Sequence, residues 1–186
     1  YAINGGRDEM SGEQIAPQFA PITGDYLTYE EFMPKFEQMM RWLAKTYVNA
    51  LKIIHYMHDK YDYEAFEMSL HDGDVERTRA TGIAGLSIVT DSIAAMKHCK
   101  IRIERDESGL AVGYRIEEGE FTPFGNNCDE TDRISVEITE KFMEYLRQHR
   151  TYRDAIPTQS ILTITSNVVY GRNTGATPDG REKGVP

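Results

Sequence analysis

Cysteine is scarce: Cys99 and Cys128 are the only two among 186 residues, and they lie far apart in the chain. Two such thiols fit a reduced pair in a cytosolic protein better than a disulfide framework. No apolar run approaches the ~18 residues of a membrane span, and no basic-then-apolar leader opens the chain. The cytoplasm is the expected compartment, with no membrane partner. Basic residues are outnumbered, 21 Lys and Arg against 30 Asp and Glu for a net charge of -9, which disfavours phosphate-backbone contacts and hence nucleic acid. Walker loops, Cys-x-x-Cys pairs, dinucleotide fingerprints and a Ser-His-Asp order are all missing. The glycines between Gly171 and Gly180 lack the spacing of a phosphate cradle. An initiator methionine is missing too. The chain starts at Tyr1 and stops at Gly184-Val-Pro186 inside a Gly/Pro-punctuated loop, so the expectation is a single segment, 1–186, of something longer.

What is present begins with 40% hydrophobic residues, enough for one domain burying about 70% of its extended surface. The most informative stretch runs from Thr158 to Tyr170 and reads as one buried strand, followed by a loop through Arg181. Thr163, Thr165 and Asn167 alternate with Leu162, Ile164 and Val168, and Ser166 breaks the apolar face. A surface strand would carry Lys or Glu on its wet side, whereas this one carries hydroxyls and an amide, the groups that hydrogen-bond a small ligand without burying charge. Thr163, Thr165 and Asn167 are therefore the candidate substrate-contacting residues. The competing reading is that these threonines merely favour β structure.

Upstream, Tyr1 to Asn4 reads as the end of a helix stopped by Gly5-Gly6, and residues 7–27 as a linker. Thr28 and Glu31 form a capping box, with Pro34 as the alternative start of the helix. Phe36, Met39, Met40, Leu43, Tyr47, Leu51, Ile54 and Met57 then recur at helical spacing to about residue 58. His55 and His58 lie one turn apart, but no Glu or Cys completes a metal-ligand spacing, and cations suit a helix C-terminus anyway. Tyr61 to Glu64 reads as a connection, Phe66 to Leu70 as a short helix, and Asp74 as the cap of a further helix running through Gly82 and Gly85 to His98. Arg77 and Arg79 on that helix could bind an anion, though exposed helix charges need no such role. Lys100 to Arg105 and Leu110 to Glu117 form a surface hairpin around Asp106 to Gly109. Residues 121–128 are a loop, and a helix from Asp129 or Thr131 carries Ile134, Ile138, Phe142 and Leu146 on one side. The residues alone support an α/β fragment and no named chemistry.

Five blocks go further: Ala44-Lys-Thr-Tyr47, Ile53-Ile-His-Tyr-Met-His-Asp-Lys-Tyr61, Gly82-Ile-Ala-Gly-Leu-Ser87, Tyr152-Arg-Asp-Ala-Ile-Pro-Thr-Gln159 and Thr163-Ile-Thr-Ser-Asn-Val-Val-Tyr-Gly171. With Asp91-Ser92, they closely resemble the pyruvate formate-lyases from end to end. The closing Thr174-Gly-Ala-Thr-Pro-Asp-Gly-Arg181 resembles a loop shared more widely by glycyl radical enzymes. The resemblance implies a helix-rich α/β segment of a ten-stranded barrel, from the later part of the lyase domain. It implies conversion of pyruvate and coenzyme A to acetyl-CoA and formate by glycyl and thiyl radicals. An iron–sulfur activating enzyme as partner and a homodimeric parent are also implied. Formate-lyases of 2-ketobutyrate, glycyl radical dehydratases or decarboxylases, and a non-catalytic scaffold module are the alternatives. The sequence also departs from the family pattern. It has no Cys-Cys pair, no Arg-Val-Ser-Gly-Tyr loop and no matching context around Cys99 or Cys128, so no catalytic residue, cofactor or metal is assigned to it and the segment alone is expected to be inactive. A barrel wall opened at both ends is further expected to leave unpaired strand edges.

Overall fold

The computed structural model describes residues 1–61 and 63–186. Asp62, part of the expected connection from Tyr61 to Glu64, lies outside the described residues. The elements run in the order β1 (Tyr26–Leu27), α1 (Tyr29–Asp59), α2 (Tyr63–Met68), β2 (Thr78–Ile83), α3 (Leu86–His98), β3 (Lys100–Arg105), β4 (Ala111–Glu118), α4 (Asp129–Arg147), a single 3-10 turn (Tyr152–Asp154), β5 (Ile156–Ile161) and α5 (Asn167–Arg172). They divide into two units. One comprises residues 1–39, 84–138 and 163–186; the other comprises 40–83 and 139–162.

The first unit holds an antiparallel sheet in the order β1-β3-β4. Ile101 and Ile103 point to the buried side of β3 and alternate with Lys100, Arg102 and Glu104, as period-two patterning requires. The turn expected at Asp106 to Gly109 forms: Asp106 Oδ1 accepts from the Ser108 and Leu110 amides at 2.9 and 3.0 Å. Ile22, Leu27, Ile93, Ala95 and Ile134 are buried in the same unit. The stretch read as a linker is folded back instead, with Ala16 and Ile22 buried and the Ile22 amide donating to the Ile3 carbonyl at 2.9 Å. Gly5 and Gly6 permit this. At φ 63° and 92° they take a backbone other residues rarely adopt, and a Cβ on Gly6 would lie 2.6 Å from the Pro17 carbonyl oxygen. Residues 1–6 are thus a turn, not the end of a helix.

Helix α1 starts ahead of Pro34, at Tyr29. Thr28 Oγ1 accepts from the Glu31 amide at 3.4 Å, and Glu30 and Glu31 in the first turn favour the helix dipole. The proline sits one turn further in, where the helix forgoes a single backbone bond. Its buried stripe is Phe32, Met39, Met40, Ala44 and Val48; Leu43, Ile54 and Met57, expected to belong to it, are exposed.

In the second unit β2 and β5 pair in parallel, from Thr78 opposite Ile156 to Ile83 opposite Ile161. This corrects the expectation of a helix from Val75. Residues 78–83 form a strand because β5 supplies a partner for their backbone, and the helix begins only at Leu86, after Gly85 at φ 79°. Gly82 is a point of close approach: a Cβ there would lie 2.5 Å from Leu162 Cδ1. Two strands alone are marginal, and α1 supports them by side chains. The Tyr47 hydroxyl accepts from the Gly82 amide at 3.1 Å, and Arg79 Nη1 donates to the Leu51 carbonyl at 3.0 Å. Val48, Thr81, Phe142, Tyr145 and Leu146 are buried here, so the expected α4 stripe forms.

Candidate functional site

The strand expected from Thr158 to Tyr170 ends at Ile161. The last backbone bond of its ladder runs from the Leu162 amide to the Ile83 carbonyl, at 2.8 Å. Beyond that point β2 has ended and no partner remains to hold an extended chain. Thr163 lies in irregular structure, Thr165 in a turn and Asn167 at the first position of α5. The reading of these three as one face of a buried strand is therefore corrected: all three are exposed. Asn and Ser compete for local backbone bonds and favour turns and helix starts over strand interiors. The alternation of hydroxyls that signalled a strand is real only up to Ile161.

A different face carries the small polar character expected of a wall. Thr78, Ala80 and Gly82 on β2 stand beside Ile156, Thr158 and Ser160 on β5, and all except Gly82 are exposed. The opposite face holds Arg79, Thr81 and Gln159, intermediate or buried. The signal was in the sequence at Thr158 and Ser160. At 78–82 the same signal is masked, because those residues also fit a helix running from Asp74 to His98.

At the start of β5 six side chains form a charged cluster. Asp59 Oδ2 accepts from the Tyr152 hydroxyl at 2.7 Å and from Arg153 Nε and Nη2 at 3.0 and 2.7 Å. Glu64 accepts from His55 Nε2 at 2.8 Å and from Arg77, and Arg153 Nε lies 3.6 Å away. The Tyr152 hydroxyl, followed by the Arg153 guanidinium, holds the Asp59 carboxyl below its usual range. Burial would raise Glu64, but the bonds from Arg77 and His55 and the charge of Arg153 outweigh it, and its carboxyl also sits low. Arg77 is thus a buttress for Glu64. Arg79, with no carboxylate bonded to it in this set, is lowered by burial alone. The two histidines do different things: His55 bonds Glu64, while His58 faces the Tyr63 ring at 6.0 Å. No group of three or more His, Cys, Asp or Glu suited to a metal occurs among the described residues.

The loop from Thr174 to Gly184 is held by its own arginine. Arg181 donates to the carbonyls of Gly175 and Val185, and the Thr177 amide returns to the Arg181 carbonyl at 3.0 Å. Glu9 Oε1 accepts from the Ala176 amide at 3.0 Å. Nearby, Asp179 accepts from the Ser92 hydroxyl at 3.5 Å, and burial pushes the Asp91 carboxyl up, with the charge of Asp179 adding to the shift. Cys99 and Cys128 are unpaired. Burial raises the Cys99 thiol, whereas bonds from the Thr131 hydroxyl and the Thr131 and Glu130 amides lower that of Cys128.

Solved structures share this fold. The chain superposes over its whole length on 26% of the B12-independent glycerol dehydratase from Clostridium butyricum, in its glycerol-bound form, with a TM-score of 0.73 at 22% identity. It likewise covers 26% of a glycyl radical enzyme from Archaeoglobus fulgidus, with a TM-score of 0.71 at 19% identity. The fold is that of a segment of a glycyl radical enzyme, an α/β piece of a larger barrel. At the level of sequence, residues 1–171 match the pyruvate formate lyase-like family, and the chain belongs to it. Formate acetyltransferase 1 of Escherichia coli (strain K12) is 57% identical over all 186 residues, which span 24% of that relative's length.

Proposed function

We propose that these residues are part of a formate acetyltransferase, an acyltransferase that converts pyruvate and coenzyme A to acetyl-CoA and formate. The observation that carries this reading is the 57% identity to formate acetyltransferase 1 across the whole chain. The segment's part is structural: it supplies helices and two paired strands of the barrel wall, while the radical-bearing glycine and the thiyl cysteines belong to other parts of the polypeptide. Thr163, Thr165 and Asn167 belong to the substrate-facing wall in this reading. Their exposure and lack of charge support it, as does their place directly after β5. The parent works as a cytoplasmic homodimer in anaerobic fermentation, activated by an iron–sulfur enzyme that places the radical.

The test is assay of the full-length polypeptide after anaerobic activation, with acetyl-CoA and formate both quantified. Pyruvate and coenzyme A should give the two products in equal amounts. Dehydration of glycerol or propane-1,2-diol with no acetyl-CoA formed would refute the assignment, and a preference for 2-ketobutyrate would move it to a sister activity.

A further inference from the structure

The corner that leads into β5 is built in a conformation its residues resist. Arg153, at φ 52° and ψ 30°, and Asp154, at φ 55°, are consecutive non-glycine residues in the left-handed region. Cβ crowding against the following carbonyl makes that region costly for both. Such a corner persists only where its surroundings over-determine it. Here the Thr151 hydroxyl closes the backbone on the Ala155 carbonyl at 2.6 Å, and one carboxylate anchors the side chains: Asp59, in the last turn of α1, gathers the Tyr152 hydroxyl and Arg153 Nε and Nη2 on a single oxygen, with its side chain only 7% exposed. Glu64, 14% exposed, backs the same guanidinium, and the His55 ring closes on Tyr152 at 4.9 Å. Immediately after the corner, the Ile156 amide donates to the Arg77 carbonyl at 2.8 Å and the parallel register with β2 begins.

We propose that Asp59 is a positioning residue that holds the strained 151–155 corner and so fixes the register of β5, a strand of the proposed barrel wall, against β2. Without the latch the corner relaxes toward ordinary backbone angles and β5 loses its register against β2. The inference rests on the acetyltransferase reading only for its consequence on substrate binding; the effect on β5 stands apart from it.

The experiment uses the full-length polypeptide carrying Asp59→Asn, Asp154→Gly, or both. Asp154→Gly relieves one left-handed residue and leaves every Asp59 contact intact, giving up only an exposed pair with Arg150. Amide exchange in the 156–162 peptide should quicken at least tenfold in Asp59→Asn and recover most of that change in the double variant. In turnover, Asp59→Asn should raise the KM for pyruvate at least fivefold while the radical yield per subunit, read by electron paramagnetic resonance, stays at the wild-type level. Should Asp59→Asn fail to fold, Tyr152→Phe removes one donor and should show the same changes at smaller size. Unchanged exchange, or quickened exchange that Asp154→Gly leaves unrescued, overturns the latch. Quickened exchange with an unmoved KM, or with radical yield lost in proportion to activity, overturns the positioning role. A wild-type protein inactive on pyruvate refutes the functional reading alone, since the exchange experiment decides the latch without it.

Discussion

Asn4 offers a sharp test of how the first unit is closed. Its side chain meets Ala111, the first residue of β4, at two points: Nδ2 donates to the Ala111 carbonyl at 3.0 Å, and Oδ1 accepts from the Ala111 amide at 2.8 Å. Strand β4 is an edge of the sheet β1-β3-β4. The carboxamide therefore acts as a one-residue strand, pairing backbone groups that would otherwise be open. Ala111 is 0% exposed and Asn4 only 8%. Replacing Asn4 by Ala orphans one buried donor and one buried acceptor at about 1–3 kcal/mol each, or ~2–6 kcal/mol together. The truncated side chain leaves room for a water with two polar partners, which places the expected loss in the lower half of that range, about 2–4 kcal/mol. In urea the midpoint should fall with the slope unchanged, the signature of lost stability without a changed denatured state.

Asn4→Asp separates this account from simple loss of packing. The aspartate keeps an acceptor for the Ala111 amide but turns a carboxylate oxygen toward the Ala111 carbonyl. Burial and that repulsion both favour the protonated acid, which can donate where Nδ2 did. The folded pKa of the new group is then raised above about 3.9. Stability is thus retained below the unfolded value and lost as the pH rises through the folded one. Asn4→Asp should approach wild type near pH 4 and fall to or below the Asn4→Ala variant at pH 8. A variant equally stable at both values, or an Asn4→Ala loss under about 0.5 kcal/mol, the size of a neutral surface change, would refute the reasoning.

Two other outcomes follow from the site. Glu64 holds its proton less tightly in the folded state than at the ordinary value of 4.5. Its contribution to stability is therefore full above that pH and lost as the pH falls through the lower folded value; urea midpoints at pH 6 and 3 should differ more for wild type than for Glu64→Gln. The two thiols should also differ. Cys128, lowered by Thr131, should react with iodoacetamide at pH 7.5 severalfold faster than Cys99, raised by burial. Thr131→Val should narrow the gap, as peptide mass spectrometry would show.

Where local signals and tertiary partners agreed, the sequence could be read directly. Thr28 capped α1, the Ile134-to-Leu146 stripe buried one side of α4, and Asp106 to Gly109 turned the hairpin. Residues 75–85 and 162–170 went the other way for a shared reason. A parallel strand has no adjacent partner in the chain, because its mate arrives only after a long crossover. Thr78–Ile83 could not be seen as a strand without knowing that Ile156–Ile161 would lie beside it, and residues past Ile161 could not be seen to leave the strand without knowing that β2 ends at Ile83. The same non-local pairing explains why the strand reads as running too far along the chain. The composition of the wall-like face, threonine and serine without charge, was legible at Thr158 and Ser160, but its second half, on Thr78 to Gly82, was not.

A parallel pair whose strands are joined only through a long crossover must set its register by something other than a turn, since no short loop counts residues between them. In the second unit the groups placed to do so stand at the two ends of the pair. At the start, Asp59 and Glu64 fix Arg153, and Arg77 presents its carbonyl to Ile156 while its side chain is held by the same Glu64. At the far end, Gly82 admits Leu162, where a Cβ would collide with it. A slip of β5 by one residue would turn Gln159 outward and bring Thr158 and Ser160 into the buried side. It would also pull Arg153 off Asp59. The clustering of charge at one end and the bare backbone at the other are thus two halves of one register lock.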